Sequence, residues 1–371
     1  ATGEWFVGFG RARDIIGMIG NVGLVVNVSV LLFIFARLIL AVGEAGNFPA
    51  AIKATAEYFP KKDRAFSTSI FNAGATVGAL AAPVSIPFIA ELWGWEASFL
   101  IIGALGFVWM GFWVFVYKKP EKHPRVSVGE LEYIQQDGDN PKKNLPERKL
   151  SFMECLGYRQ TWAFAAGKFM TDGVWWFFLF WTPAYLSAVY DMKSSDPASQ
   201  IAIFTLYAIT LLSIIGGWLP TYFVDKKGMN PYSGRMKAML IFAFFPLLAL
   251  LAQPLGSVSY WFPVVIIGIA GAAHQAWSAN IFSTVGDMFP KSAIATVTGI
   301  GGMAGGMSSF IINKSSGVLF DYAGETEMTF MGFRGEEAGY FIIFSICAVA
   351  YLIGWCIMKS LVPRYAPIAV H

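Results

Sequence analysis

Nine apolar stretches recur along this chain, each long enough to cross a lipid bilayer as a helix. They lie at about 28–56, 65–91, 97–117, 162–189, 200–223, 237–253, 258–288, 293–320 and 339–361. A hydrocarbon core about 30 Å thick needs roughly 20 apolar helical residues. A soluble protein with this many buried helices would need amphipathic ones to cover them, and the sequence offers none. Charged residues make up 14% of the chain, against roughly 25% in an ordinary soluble domain. The expected fold class is all-α integral membrane.

Loop charge orients the spans. Lys and Arg in the connecting segments number 19 on one side and 4 on the other, which puts the 118–160 segment and the C-terminus in the cytoplasm and residue 1 outside. The expected organisation is an extracytoplasmic loop over 1–27, a partial three-helix N-terminal bundle over 28–117, and a cytoplasmic linker over 118–160. A six-helix C-terminal bundle over 161–362 and a cytoplasmic tail over 363–371 complete it. The linker carries Pro120, Pro124, Pro141 and Pro146 and an amphipathic stretch near Val128–Gln135. It is too small for a catalytic domain. Cys155, Cys347 and Cys356 show no disulfide framework and no metal spacing.

A motif repeats at an offset of 230 residues, from Glu44 to His274 and from Pro60 to Pro290. The first copy ends in Glu57-Tyr-Phe-Pro-Lys61 and the second in Asp287-Met-Phe-Pro-Lys291. A repeated membrane helix with an ionisable residue in each copy predicts two pseudo-symmetric halves around a central polar site, the plan of secondary transporters. The Glu44 helix is the first span present, whereas the His274 helix is the fourth span after the linker. In register, the nine spans are expected to correspond to helices four to twelve of a twelve-helix plan.

Glu44 lies nine residues before Lys53, roughly 13 Å along a helix and close to mid-bilayer. An ionised group there costs at least about 2.5–3.5 kcal/mol, so an intramembrane carboxylate is a functional candidate, and desolvation favours its protonated form. Arg37, two turns earlier, either meets an anionic substrate or pairs with an acid elsewhere in the bundle. Pro49 is expected to kink the helix beside Asn47 and Glu44. In the 162–189 span, Lys168 and Asp172 form an i, i+4 pair, and Trp175, Trp176, Trp181 and Tyr185 offer faces of the kind that pack on sugar rings. In 258–288, His274, Gln275 and Asn280 supply donors and acceptors for hydroxyls. Asn72 in 65–91 is a further candidate, and Lys314 has no assigned role.

No zinc-type spacing, phosphate-cradling loop or nucleophile elbow is present. The apolar Gly299–Gly306 run reads as close helix packing. An enzyme is therefore not expected, nor any cofactor beyond a coupling proton.

These residues resemble the major facilitator superfamily, and within it the anion:cation symporter branch. Gly217 through Gly228, with Asp225-Lys226-Lys227, is similar to a diverged form of the superfamily's Gly-x-x-x-Asp-Arg-x-Gly-Arg-Arg loop. Gly43-Glu44-Ala-Gly-Asn-Phe-Pro-Ala50, Glu57 through Ala65, Phe71-Asn-Ala-Gly74, Val174 through Trp181 and Ala273 through Asn280 resemble bacterial hexuronate transporters most closely. The resemblance covers about residues 35 to 320.

It implies the major facilitator fold and proton-coupled symport of hexuronates, glucuronate or galacturonate, by alternating access. The alternatives are another organic anion, an aldonate or aldarate, or a non-transporting sugar-acid receptor. It also implies that Arg37 recognises the anion and Glu44 couples the proton, as the branch's fourth-helix Arg and Glu do. The branch's acidic and basic first-helix residues have no match in this chain. Ala75 stands where aldonate carriers have Gln, which implies a different sugar acid. Arg37 and Lys168 would contact the carboxylate, and Asn72, His274, Gln275 and Asn280 the hydroxyls, with Asn47, Asp172, Trp175 and Trp176 completing the substrate set. The expected setting is a bacterial inner membrane and a monomer in lipid, with a small anionic sugar acid as partner and no nucleic acid.

Overall fold

The computed structural model describes residues 22–137, 150–192 and 196–368. Almost all of it is helix. In order, α1 spans Val22–Glu44, α2 Asn47–Tyr58, α3 Arg64–Trp93 and α4 Trp95–Val116. Two short helices follow, α5 (Val128–Ile134) and α6 (Phe152–Leu156), then α7 (Arg159–Tyr190), α8 (Pro197–Thr210), α9 (Ile214–Lys227) and α10 (Pro231–Ala243). The chain ends with α11 (Ala252–Gly256), α12 (Trp261–Met288), α13 (Lys291–Glu325), a two-stranded hairpin and α14 (Glu336–Leu361). Parts of the 1–27, 118–160 and 363–371 segments lie outside the described residues, as do Arg11, Arg13 and Lys193.

Eight helical stretches among the described residues are long and apolar enough to cross a membrane. The ninth expected span, 162–189, is the 32-residue α7. It is not among the eight, because its Lys168–Asp172 pair and its many Trp, Thr and Gly residues lower its apolarity. Length is not the obstacle: at 1.5 Å per residue, α7 is roughly 48 Å long. The stretches 200–223 and 237–253 are single spans built from two helices each, joined by 3₁₀ turns at Leu211–Ser213 and Phe245–Leu251. Thr210 Oγ1 accounts for part of the first break by bonding the carbonyl of Tyr207 at 2.7 Å. Pro246, with no N–H to give, sits in the second.

The helix expected to kink at Pro49 does break, but three residues earlier. Ala45 and Gly46 form a turn between α1 and α2. The proline ring clashes with the carbonyl four residues before it, which is that of Ala45. The break therefore falls directly after Glu44. The second copy of the motif, α12, has no proline at the matching point and runs unbroken. The two copies end alike, Phe59 N–H bonding Thr55 O at 3.0 Å and Phe289 N–H bonding Val285 O at 2.9 Å.

Packing divides the chain into two compact units, Ala1–Ala50 and Ala51–His371. In the larger unit α12 is the central post, buried along nearly its whole length and packed by α3, α8, α10 and α7. The outer face of the unit is a belt of exposed apolar side chains, Phe107, Phe115 and Val116 on α4 among them. Such a continuous apolar surface needs lipid rather than water around it.

One end of this unit is held by polar contacts. Arg64 Nη1 donates to Gly286 O at 2.6 Å and its Nη2 to Ala56 O at 3.1 Å. Arg235 Nε and Nη2 meet Asp287 at 2.5 and 3.0 Å, and Nη2 also reaches the Lys61 carbonyl. Glu57, the first-copy counterpart of Asp287, instead accepts from the Tyr117 hydroxyl. The tail after α14 is strapped under the same end: Tyr232 OH bonds Val362 O and Ile368 N–H bonds Met288 O, both at 2.8 Å.

Candidate functional site

A cluster of buried polar groups forms where α7, α12 and α14 meet. Lys168, Thr171, Asp172 and Trp175 share one face of α7 because they fall three to four residues apart. Lys168 Nζ and Asp172 Oδ2 are 2.7 Å apart, with only 6% and 14% of their side chains exposed. The Lys168 ammonium also lies 4.1 Å from the centre of the Phe282 ring. Asp172 reaches its lysine across Gly305 of α13, where an added Cβ would stand 2.2 Å from Asp172 Oδ2. The glycine run thus lets α13 approach α7 and leaves room for the carboxylate.

One turn along α7, the Trp175 ring stacks on His274 of α12, with centroids 5.1 Å apart and planes 7° apart. His274 Nδ1 and the Tyr351 hydroxyl of α14 are 2.7 Å apart. That hydroxyl also faces the Thr171 carbonyl at 3.5 Å. Trp277 is wholly buried edge-on to Tyr351 at 5.5 Å, and its indole N–H has no partner among the described residues.

The expected residues divide by position. Lys168, Asp172, Trp175 and His274 are brought together. Gln275 follows His274 on α12 and is buried, and Asn72 of α3 donates from Nδ2 to Ser278 Oγ at 3.5 Å. Trp176 points away, more than a third exposed and stacked on Phe180. Asn280 has its amide engaged with the backbone, donating to Gly216 O at 3.1 Å and Ala276 O at 2.8 Å, while Oδ1 is buried without a partner among the described residues. Arg37 and Glu44 lie two turns apart on α1, and Asn47 opens α2; all three are exposed. Lys314 is exposed on α13 beside Asn313, which accepts from Trp181 Nε1 at 3.0 Å.

Tyr351 and Thr171 were not legible from the sequence. Tyr351 sits in an apolar run that reads as a plain membrane span, and nothing in that run marks it as a partner of His274. Arg235 was visible only as one base among several in a loop.

Chemically, the cluster offers one cation and one carboxylate held against each other, an imidazole and several hydroxyl or amide groups, all within membrane-spanning helices. It contains no nucleophile poised by a base. No group of His, Cys, Asp and Glu able to hold a metal occurs among the described residues.

The sequence profile of the Major Facilitator Superfamily matches residues 14–312. Among curated proteins, the chain is 27% identical over 333 residues to a hexuronate transporter of Escherichia coli (strain K12), covering 88% of this chain and 72% of that one. It is 31% identical over 195 residues to a galacturonate transporter of Dickeya chrysanthemi, covering 53% of this chain and 56% of that one. The match takes in most of the chain, and the helical architecture agrees with it: this protein belongs to the Major Facilitator Superfamily.

Proposed function

We propose that this protein is a secondary active transporter that carries a hexuronate, glucuronate or galacturonate, together with a proton by alternating access across a bacterial inner membrane. The observation that carries the reading is the Lys168–Asp172 pair beside His274, deep within spans α7 and α12. Ionisable groups are costly at that depth and mark substrate or ion pathways. An ammonium matches a sugar acid's carboxylate, while His274, Gln275 and Asn72 match its hydroxyls. The relatives named for hexuronate and galacturonate support the same substrate class.

Glu44 is the proposed proton carrier and Arg37 a second carboxylate contact. Glu44 ends α1 at the point where the helix breaks, so a change in its charge acts at the turn between α1 and α2. Alternating access is supported by the packing of α3 against α9 and α12, which closes the Arg64–Arg235 end of the larger unit. Loop charge assigns that end to the cytoplasm.

Uptake of labelled glucuronate into proteoliposomes by the full-length protein, with and without an inward proton gradient, tests the proposal. Gradient-driven accumulation competed by galacturonate but not by galactonate is expected. Accumulation of an aldonate or aldarate instead would transfer the same site to that second class of anion. Binding of glucuronate without movement would make the protein a receptor and refute transport.

A further inference from the structure

We infer that the basic end of the larger unit carries a headgroup site for an anionic phospholipid, built between the start of α7 and the segment that follows α14. A cavity of about 570 Å³ opens there, lined by Tyr158, Arg159, Gln160, Leu361, Pro363 and Arg364, with others. Two arginines from opposite ends of the bundle sequence meet at one recess. Neither guanidinium makes a hydrogen bond or ion pair with a described residue, and both are exposed. Planar guanidinium forks suit phosphate oxygens.

The recess is built rather than incidental. Gln160 Nε2 donates to Ala366 O at 2.9 Å, tying its two walls together. Lys359 Nζ donates to Pro363 O at 2.7 Å and sets a third cation beside the mouth. Tyr365 OH donates to Asp287 O at 3.2 Å, so Arg364 lies between a residue held by its backbone carbonyl and one held by its side chain. The arginines are thus presented on a fixed surface, not on a loose tail.

Its surroundings place it at headgroup level. Trp162, one turn into α7, is exposed and donates from Nε1 to Leu156 O at 2.8 Å. Tryptophans in that posture mark the membrane interface. The short helix α6, fixed by a Ser151–Glu154 capping box, turns Phe152 and Met153 outward. An exposed apolar pair on a helix at this level lies against lipid rather than water. Cationic walls at the mouth and apolar lining from Leu361 and Pro363 fit one occupant, a lipid with a phosphodiester above its glycerol and acyl chains. The inference does not depend on which substrate is carried.

The test is native mass spectrometry of the full-length protein taken from nanodiscs of phosphatidylglycerol and phosphatidylethanolamine. The wild type should retain phosphatidylglycerol preferentially. Arg159→Gln and Arg364→Gln should each lower that retention by about fivefold, and Lys226→Gln with Lys227→Gln, exposed bases elsewhere at the same end, should leave it unchanged. Size-exclusion profiles in pure phosphatidylcholine report whether each variant is folded. Equal retention by folded wild type and the double arginine variant would overturn the site. An equal loss in the Lys226 and Lys227 control would reduce it to diffuse surface charge. Displacement of the lipid by inorganic phosphate would overturn the lipid assignment in favour of a free anion.

Discussion

The side-chain amide of Asn280 on α12 donates to the carbonyl of Gly216 on α9 at 3.1 Å. That carbonyl lies four residues before Pro220, which has no N–H to meet it. Asn280 therefore supplies from a neighbouring helix the hydrogen bond that the proline withholds. In a membrane interior no water is at hand to do so.

This relationship makes a cycle. Asn280→Ala should destabilise the protein by about 1–3 kcal/mol through an unmet buried carbonyl. Pro220→Ala restores the backbone donor, so the double variant should recover much of that loss. Thermal unfolding in one detergent gives all four corners; additive losses would show that Asn280 acts elsewhere.

The Lys168–Asp172 pair should be far more sensitive to losing one member than to losing both. Asp172→Asn leaves a buried ammonium without its counter-charge, a change worth about 3–5 kcal/mol, whereas paired apolar replacement is often tolerated. Melting temperatures of Asp172→Asn and of Lys168→Met with Asp172→Leu make the comparison. Uptake should be lost in both if the pair meets substrate.

Gly305→Ala keeps every charge but puts a methyl group 2.2 Å from Asp172 Oδ2. The carboxylate must move off Lys168 or α13 must retreat from α7. Glucuronate uptake should fall at least tenfold, about 1.4 kcal/mol in the transport barrier, with little loss of expression. Wild-type uptake in this variant would mean that the observed geometry is not needed.

Gly217 tests closure of the basic end. A Cβ there would stand 2.2 Å from Ser69 Oγ and 2.8 Å from the Ala65 carbonyl. Gly217→Leu should force α3 away from α9 and expose the path beside Asn72 and Ser278. With the three native cysteines replaced, Ser278→Cys should then react faster with a maleimide supplied from that end. An unchanged rate would place the gate elsewhere.

Glu44→Gln should abolish accumulation driven by a proton gradient and spare exchange of labelled for unlabelled substrate. The neutral amide mimics the protonated acid, so the loaded carrier can still reorient without moving an unpaired charge. Accumulation that survives the change would remove Glu44 from the coupling step.

The sequence by itself determined the membrane class, the helices and the repeat, because each is a local property. In lipid a long apolar run meets its backbone hydrogen bonds within itself by coiling into helix, and Pro49 withholds one such bond wherever it packs. The same locality made Lys168–Asp172 legible, since an i, i+4 pair needs only the helix itself. Pairings between helices were decided by tertiary structure alone. His274 could have met any hydroxyl in the bundle, and only the approach of α14 chose Tyr351. Asn280 read as a ligand for substrate hydroxyls until the packing of α12 on α9 set it against the carbonyl that Pro220 leaves unmet. Polar side chains in a membrane take whichever partner the helix packing brings within 3 Å or so, and a one-dimensional pattern of residues does not record that approach.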